Sequence, residues 1–121
     1  MTLKDSFFTI NNIEKNNEEY FIKIKLNSSH KIFEAHFPGH PIVPGVCILE
    51  MLKEIISEIS KREVIITQVK SMKFLNPIDP TQTPDLLFTY QNVNEFSLNS
   101  SIQTEDKTMM FSKMKLEIKY L

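Results

Sequence analysis

Both glycines of this 121-residue chain lie in one segment, residues 35–50, which reads AHFPGHPIVPGVCILE. The same segment contains two of the three histidines and three of the six prolines. Glycine allows backbone conformations and close approaches that other residues resist, whereas proline restricts the chain. The segment is therefore expected to form a constrained loop that holds its side chains in fixed positions.

The composition predicts one globular domain over residues 1–121, because 41% of the residues are apolar and the chain is too short for two cores. Cys47 is the only cysteine, so one chain can form neither a disulfide nor a cysteine-based metal cluster, and a cytoplasmic protein is expected. No apolar run reaches the ~18 residues of a membrane span, and the N-terminal residues lack a secretory pattern, so no membrane insertion is expected. With 14 basic and 15 acidic residues and no basic tract, nucleic-acid binding is not expected.

Strand patterns flank the segment on both sides. Apolar and polar residues alternate over residues 21–26, the period of a half-buried strand, and residues 6–10 predict an earlier, shorter one. Four further strands are predicted after residue 62, over 64–74, 86–93, 95–103 and 108–120. Because short polar turns join consecutive strands, the pattern favours an antiparallel meander.

A single long helix is predicted over residues 46–61, which contain no glycine or proline. It begins inside the segment, where Pro44 can occupy a first-turn position at no hydrogen-bonding cost. The apolar residues recur every three or four positions, at Val46, Ile48, Leu49, Leu52, Ile55, Ile56 and Ile59. One amphipathic helix packed on one antiparallel sheet is an α+β architecture, with Glu50 at the margin of the apolar face.

The start of this helix has the features of a reaction site. A helix N-terminus presents unpaired N–H groups and a partial positive charge, and Gly45 would let a substrate oxygen approach them without meeting a Cβ atom. An imidazole exchanges protons near neutral pH, and a carboxyl group can remain protonated in an apolar site. His36 and Glu50 are therefore a candidate base and a candidate acid.

Other side chains in and around the segment have structural interpretations. His40 is expected to be a solvated loop residue. His36 and His40 have the spacing of metal ligands on a helix, but the neighbouring prolines disfavour a helix there and no acidic third ligand is evident, so no metal site is predicted. Cys47 is expected to be a small buried residue rather than a reactive thiolate. Core packing is the default for Phe33, Phe74 and Phe88, although they could also line an acyl tunnel.

Residues 36–50, HFPGHPIVPGVCILE, resemble the signature of the 3-hydroxyacyl-acyl-carrier-protein dehydratases of fatty acid synthesis. Residues 73–80, KFLNPIDP, resemble the strand and turn that follow the helix in that family, and the order of elements is similar over nearly the whole chain. The resemblance implies a hotdog fold, in which a curved antiparallel sheet wraps around one long helix. It also implies a homodimer, or a higher assembly of dimers, with active sites between two subunits.

The resemblance assigns a role to each matching residue. His36 would remove a proton from C2 of a 3-hydroxyacyl thioester, and Glu50 of the partner chain would protonate the departing C3 hydroxyl group, giving a trans-2-enoyl thioester and water. The backbone at Gly45 and Val46 would bind the thioester carbonyl group. The carbonyl oxygen of Ile42 would accept a hydrogen bond from the imidazole and fix its tautomer. No cofactor is implied.

The partner implied by the resemblance is an acyl carrier protein, which is acidic. Four basic residues are candidates for its landing surface, at Lys61, Arg62, Lys70 and Lys73. The length of the acyl chain is left open, as is the pathway, which could be primary fatty acid synthesis or a specialised lipid, polyene or polyketide route.

The helix departs from the family pattern directly after the proposed acid. The family usually continues with small residues and a glutamine, whereas this chain has Met51-Leu-Lys-Glu54. A second carboxylate one turn beyond Glu50 would disfavour ionisation of the pair and keep Glu50 protonated, and Lys53 would act against that effect.

Two other functions remain open at this stage. A hotdog thioesterase would use the same acid and helix start to direct water at the thioester carbonyl group, although the HFPG sequence favours dehydration. A non-catalytic subunit of a heteromeric dehydratase is the second alternative. The presence of both His36 and Glu50 argues against it, because a silent subunit needs neither.

Overall fold

The computed structural model describes residues 2–121, which form one six-stranded sheet and two helices. Neighbouring strands are antiparallel throughout, in the spatial order β1-β2-β4-β5-β6-β3. The elements in chain order are β1 Phe8–Asn16, β2 Glu19–Leu26, α1 Ile32–Ala35, α2 Gly45–Ser60, β3 Val64–Phe74, β4 Asp85–Asn92, β5 Ser97–Thr104 and β6 Met110–Tyr120.

The predicted α+β architecture is confirmed, and so are the long helix and the positions of five of the strands to within a few residues. The first strand is longer than predicted and begins later, at Phe8. The one-turn helix α1 was not predicted. Part of the support for this helix comes from a distant residue, because the ring of Phe33 in α1 stacks on that of Phe7 with the ring centroids 5.1 Å apart.

The predicted meander is correct for β4, β5 and β6 and wrong for β3. β3 pairs with β6, the last strand, and β2 takes the place beside β4, from Glu19 opposite Gln91 to Lys25 opposite Asp85. Sequence periodicity specifies which residues share a face of a strand but not which strand lies beside it. β3 is consequently an edge strand, and its pairing with β6 contains two register shifts.

The core lies between α2 and one face of the sheet. The inward residues of the helix are completely buried, as are those of the central strands, because the 3.6-residue and two-residue periods each direct one face inward. The fully buried helix residues are Met51, Leu52, Ile55 and Ile56, and those of the sheet include Ile22, Ile24, Leu86, Phe88 and Ile102. Within residues 2–121, no helix is both long enough and apolar enough to cross a membrane.

Candidate active site

The first glycine of the loop completes a tight turn. The N–H group of His40 donates to the carbonyl oxygen of Phe37 (2.9 Å), and the N–H group of Phe37 donates back to His40 (3.2 Å). Between them stand Pro38 and Gly39, and Gly39 has a φ of +80°. Proline followed by a residue of positive φ is the pattern of a type II turn, which explains a glycine at position 39.

The backbone of His36 is fixed on both sides of this turn. Its N–H group donates to the carbonyl oxygen of Ile32 in α1 (3.0 Å), and its own carbonyl oxygen accepts from the N–H group of Ile42 (2.9 Å). Further along, the N–H group of Val43 donates to the carbonyl oxygen of Ile78, between β3 and β4 (3.0 Å). The loop that carries the candidate base is therefore tied to α1, to itself and to the segment after β3.

The imidazole of His36 lies at the surface of the chain. Its ring is 4.8 Å from that of Phe37, centroid to centroid, and the Phe37 side chain is itself 51% exposed. Within residues 2–121, the imidazole does not form the expected hydrogen bond with the carbonyl oxygen of Ile42; the hydrogen bond between these two residues joins their backbones instead. The orienting role of Ile42 stays a prediction.

The start of α2 offers two backbone donors. No side chain caps the helix at Pro44, and the N–H groups of Cys47 and Ile48 both donate to the Pro44 carbonyl oxygen (3.0 and 3.1 Å). Within the described part of the chain, the N–H groups of Gly45 and Val46 have no acceptor. These are the two positions predicted to bind a carbonyl oxygen, and unpaired N–H groups at a helix start favour such a ligand.

The second glycine of the loop is explained by a close approach. An ideal Cβ atom on Gly45 would lie 3.0 Å from Cζ and 3.5 Å from Cε1 of Phe74. The Phe74 ring, which is 62% exposed, lies across the helix start from the end of β3. Any side chain at position 45 would therefore have to displace this ring.

A cavity of about 280 Å³ adjoins the same helix start. Most of its lining is apolar, so the cavity suits a short acyl chain better than a charged ligand. It is lined by Ile42, Val43, Ile48, Phe74, Leu75, Asn76, Pro77, Ile78, Phe111 and Ser112. Of the three phenylalanines considered from the sequence, only Phe74 lines this cavity, whereas Phe33 and Phe88 belong to the core. Apart from Ile42, which was considered for a different role, the remaining residues were missed because they come from three separate parts of the chain with no local signal in common.

The carboxyl group of Glu50 is largely buried, with 13% of the side chain exposed. Its Oε1 atom lies 3.2 Å from Nζ of Lys53. Its Oε2 atom is buried and has no hydrogen-bond partner among the residues that the structure describes. A buried oxygen without a donor is unusual in a folded protein, and a bound proton, a water molecule or a ligand would satisfy it.

The carboxyl group of Glu54 has backbone partners instead. Oε1 accepts the N–H groups of Leu3 (2.9 Å) and Lys4 (2.7 Å), and Oε2 also accepts the N–H group of Leu3 (2.9 Å). Burial raises the pKa of Glu54, and the neighbouring carboxyl group of Glu50 raises it further. Glu50 and Glu54 thus lie one turn apart on α2, as predicted, and Lys53 makes the opposing contact with Glu50.

No hydrogen bond or ion pair joins His36 to Glu50 within residues 2–121. The imidazole is exposed, whereas the carboxyl group is buried beside the first two turns of α2. One chain therefore provides both groups close together in sequence without bringing them into direct polar contact.

Cys47 is buried, with 2% exposure, as expected. Burial is the main cause that raises the pKa of its thiol, and the neighbouring Glu50 carboxyl group acts in the same direction. A thiol in this setting remains protonated and unreactive. Within residues 2–121, no three His, Cys, Asp or Glu side chains are placed so as to hold a metal ion.

Three of the four basic residues considered as a landing surface already have partners. Lys70 pairs with Glu117 (3.0 Å), and Nζ of Lys61 lies 3.8 Å from a Glu58 oxygen. The guanidinium group of Arg62 lies over the ring of Tyr120, 5.1 Å from its centroid. Lys73 forms no ion pair with another described residue, so the landing surface stays a prediction centred on that position.

Comparisons with known proteins add to this geometry. Residues 12–115 match the model of a family described as ApeI-like, the ApeI dehydratase. A 3-hydroxyacyl-[acyl-carrier-protein] dehydratase FabZ of Fusobacterium nucleatum is 32% identical over 78 residues, covering 59% of this chain and 55% of that protein. The enzyme of the same name from Wolbachia sp. subsp. Drosophila simulans is 35% identical over 68 residues, covering 50% of this chain and 48% of that protein. The chain thus spans about half the length of these curated relatives.

Among solved structures, the dehydratase heterocomplex ApeI:P from Xenorhabdus doucetiae is similar, with a TM-score of 0.74 and 19% identity. The likeness covers 90% of this chain and 95% of that one. At this level of identity it bears on the fold, and it confirms the predicted hotdog fold.

Proposed function

This chain belongs to the ApeI-like dehydratase family, and on that premise we propose that it removes water from a 3-hydroxyacyl thioester to give the trans-2-enoyl thioester. The observation that carries the proposal is the apolar cavity at the start of α2, where Val43 and Ile48 of its lining flank the unpaired N–H groups of Gly45 and Val46. The cavity can hold the acyl chain while the N–H groups hold the thioester carbonyl oxygen. An acyl carrier protein is the proposed donor of the substrate, as it is in the names of the FabZ relatives.

The proposed reaction uses two side chains. His36 takes a proton from C2, the electron pair of that C–H bond forms the C2–C3 double bond, and the C3–O bond breaks. Glu50 gives its proton to the departing hydroxyl group, which leaves as water. Negative charge that develops on the thioester oxygen is stabilised by the N–H groups at the helix start.

The size of each contribution fits a dehydratase. A positioned acid or base typically contributes about 10² to 10⁴-fold to the rate. A backbone donor at a developing oxyanion contributes roughly 10² to 10³-fold. The three groups together would account for most of the acceleration that such an elimination requires.

We place His36 of one chain opposite Glu50 of a second copy in this proposal. The support is that the imidazole is exposed and has no polar contact with Glu50 of its own chain. Three large apolar side chains near the two groups are also exposed in the single chain, namely Phe37 at 51%, Val46 at 66% and Phe74 at 62%. A partner chain would remove this apolar surface from water.

The direct test is to give the purified protein a 3-hydroxyacyl thioester on acyl carrier protein and follow enoyl absorbance. We expect H36A and E50Q to lose activity by about 10²-fold or more while remaining folded. H40A is the matched control, because His40 is exposed in the same turn and only its backbone is used there. Release of free thiol without enoyl product would indicate a thioesterase and overturn the proposal.

A non-catalytic subunit is the competing form of the proposal, since the solved relative from Xenorhabdus doucetiae is described as a heterocomplex. Co-expression with a second hotdog chain separates the two cases. If activity appears only in the mixed complex and H36A in this chain has no effect there, this chain has a supporting role.

A further inference from the structure

Glu54 is held from outside its own helix by the N-terminal segment, residues 2–7. The N–H groups of Leu3 and Lys4, about fifty residues earlier in the chain, donate to the two oxygens of its carboxyl group at 2.7 to 2.9 Å. The side chain of Lys4 then pairs with Glu58, one turn further along α2 (2.9 Å). Two backbone donors on one carboxyl group fix its position more firmly than a surface ion pair does.

The carboxyl group so fixed belongs to the residue one turn along α2 from Glu50, and the Glu50 carboxyl group raises the pKa of Glu54. Glu50 meanwhile has one buried oxygen, Oε2, for which the described residues provide no donor. Two neighbouring carboxyl groups do not both ionise readily, because their negative charges repel. A single proton between them would remove the repulsion and give the buried Oε2 atom of Glu50 a hydrogen bond.

We propose that Glu54 is a positioning residue for Glu50: the N-terminal segment holds Glu54 in place, and Glu54 shares one proton with Glu50 and so fixes the orientation of the Glu50 carboxyl group. This inference rests on the proposed function in that it takes Glu50 as the general acid. It goes beyond that function by assigning a role to a second carboxyl group on the same helix, held by a distant part of the chain.

The remaining charges near the pair decide where the proton resides. Lys53 on α2 lies 3.2 Å from Oε1 of Glu50 and favours a charge there, but it is partly exposed and such pairs contribute little. The N–H groups of Leu3 and Lys4 favour a charge on Glu54. The other titratable groups of these two elements are the Glu58–Lys4 pair, Asp5 and the buried thiol of Cys47.

Burial and the neighbouring Glu50 raise the pKa of Glu54, but of the two carboxyl groups only that of Glu54 accepts backbone N–H groups among the described residues, and on this ground we place the shared proton on Glu50. A general acid must carry its proton before the reaction. Once Glu50 has given that proton to the leaving hydroxyl group, Lys53 is in position to stabilise the carboxylate that results.

The test is an NMR titration of the glutamate side-chain carboxyl carbons in the unmodified protein, E54Q and E58Q, with E50Q used for assignment. In the unmodified protein we expect the signals of Glu50 and Glu54 to titrate together in two steps. In E54Q the amide oxygen can still accept the Leu3 and Lys4 N–H groups, and the coupled two-step titration should be replaced by a single step for Glu50 at lower pH. E58Q removes the same charge one turn away and should leave the titration of Glu50 unchanged.

A second measurement separates positioning from a purely structural role. The high-pH limb of the dehydration rate, where the acid loses its proton, should move to lower pH in E54Q and not in E58Q, with little change in KM. If Glu50 titrates at the same pH in the unmodified protein and in E54Q, the proposal is wrong. If E54Q does not fold, the titration of the unmodified protein decides alone, because independent single-step titrations of Glu50 and Glu54 contradict a shared proton.

The two proposals can fail separately. Coupled titration in a protein without dehydratase activity would remove the proposed function and leave the carboxyl pair intact. Dehydratase activity in a protein whose Glu50 and Glu54 titrate independently would leave the proposed function intact and remove the shared proton.

Discussion

Cζ of Phe74 lies 3.0 Å from the point at which a Cβ atom on Gly45 would stand, so the last residue of β3 determines which residue can begin α2. The same ring lines the cavity beside that helix start. One aromatic ring therefore borders both the cavity and the first residue of α2, although it comes from a distant part of the chain.

The first prediction concerns this contact. Alanine at position 45 gains helix propensity but must displace the Phe74 ring, whereas in an F74A background the added methyl group has room. The change in the free energy of unfolding for G45A should therefore be less favourable in the presence of Phe74 than in its absence, by about 0.5 to 3 kcal/mol. Denaturant unfolding of the four proteins in this double-mutant cycle measures the coupling; strictly additive effects would show that the ring does not restrict position 45.

The second prediction concerns the other glycine. G39A should lower the free energy of unfolding by about 1 to 2 kcal/mol, because Gly39 has a φ of +80° and a side chain there is strained. The cost must arise from the backbone, since a Cβ atom at this position would meet nothing within 4 Å. G39N is the matched control and should cost less, because asparagine tolerates positive φ. Equal losses for the two variants would contradict a conformational origin.

The third prediction concerns the two-chain site. H36A and E50Q should each be inactive alone, and mixing them under conditions that exchange subunits should restore part of the activity. Recovery is expected because a mixed dimer contains one site with both an intact imidazole and an intact carboxyl group. Enoyl absorbance measures it, and mixing H36A with H36A/E50Q provides the control, in which no site is complete. If the mixture of H36A and E50Q stays inactive although subunit exchange has been demonstrated, the imidazole and the carboxyl group of one site must come from the same chain.

The fourth prediction concerns Cys47. The pKa of its thiol is raised chiefly by burial, so the reactive thiolate becomes significant only above the usual pH range for cysteine. Alkylation of the folded protein at pH 8 should be slower than that of the urea-unfolded protein by more than tenfold. Reaction of both forms at the same rate would mean that the thiol is accessible, in conflict with its 2% exposure.

The sequence predicted most of the fold because its signals are local. The period of residues 21–26 and the glycine-free stretch from 46 identify a strand and a helix without knowledge of their neighbours. The pairing of β3 with β6 is different in kind, since a strand with one buried face can accept any partner of matching register. The one-turn helix α1 was missed for a related reason, because four residues are too few for a periodic signal and part of its support comes from Phe7.

The candidate site divides in the same way. His36, Gly45 and Glu50 are candidates that the sequence alone supplies, because their spacing is set by a short loop and the first turns of one helix; their roles stay predictions. The hydrogen bonds that hold Glu54 could not be predicted, because their donors are the N–H groups of Leu3 and Lys4, about fifty residues away. Backbone groups carry no sequence signature.

The amino-acid sequence by itself determined the periodic elements, the turn at Gly39 and the order of the chemical groups along the loop and helix, since each depends on interactions between residues a few positions apart. The tertiary structure alone decided that β3 lies at the edge of the sheet, that Phe74 covers Gly45 and that the N-terminal segment holds Glu54. These contacts join residues that are close only after the chain has folded, and their geometry follows from how the helix packs on the sheet rather than from any local preference.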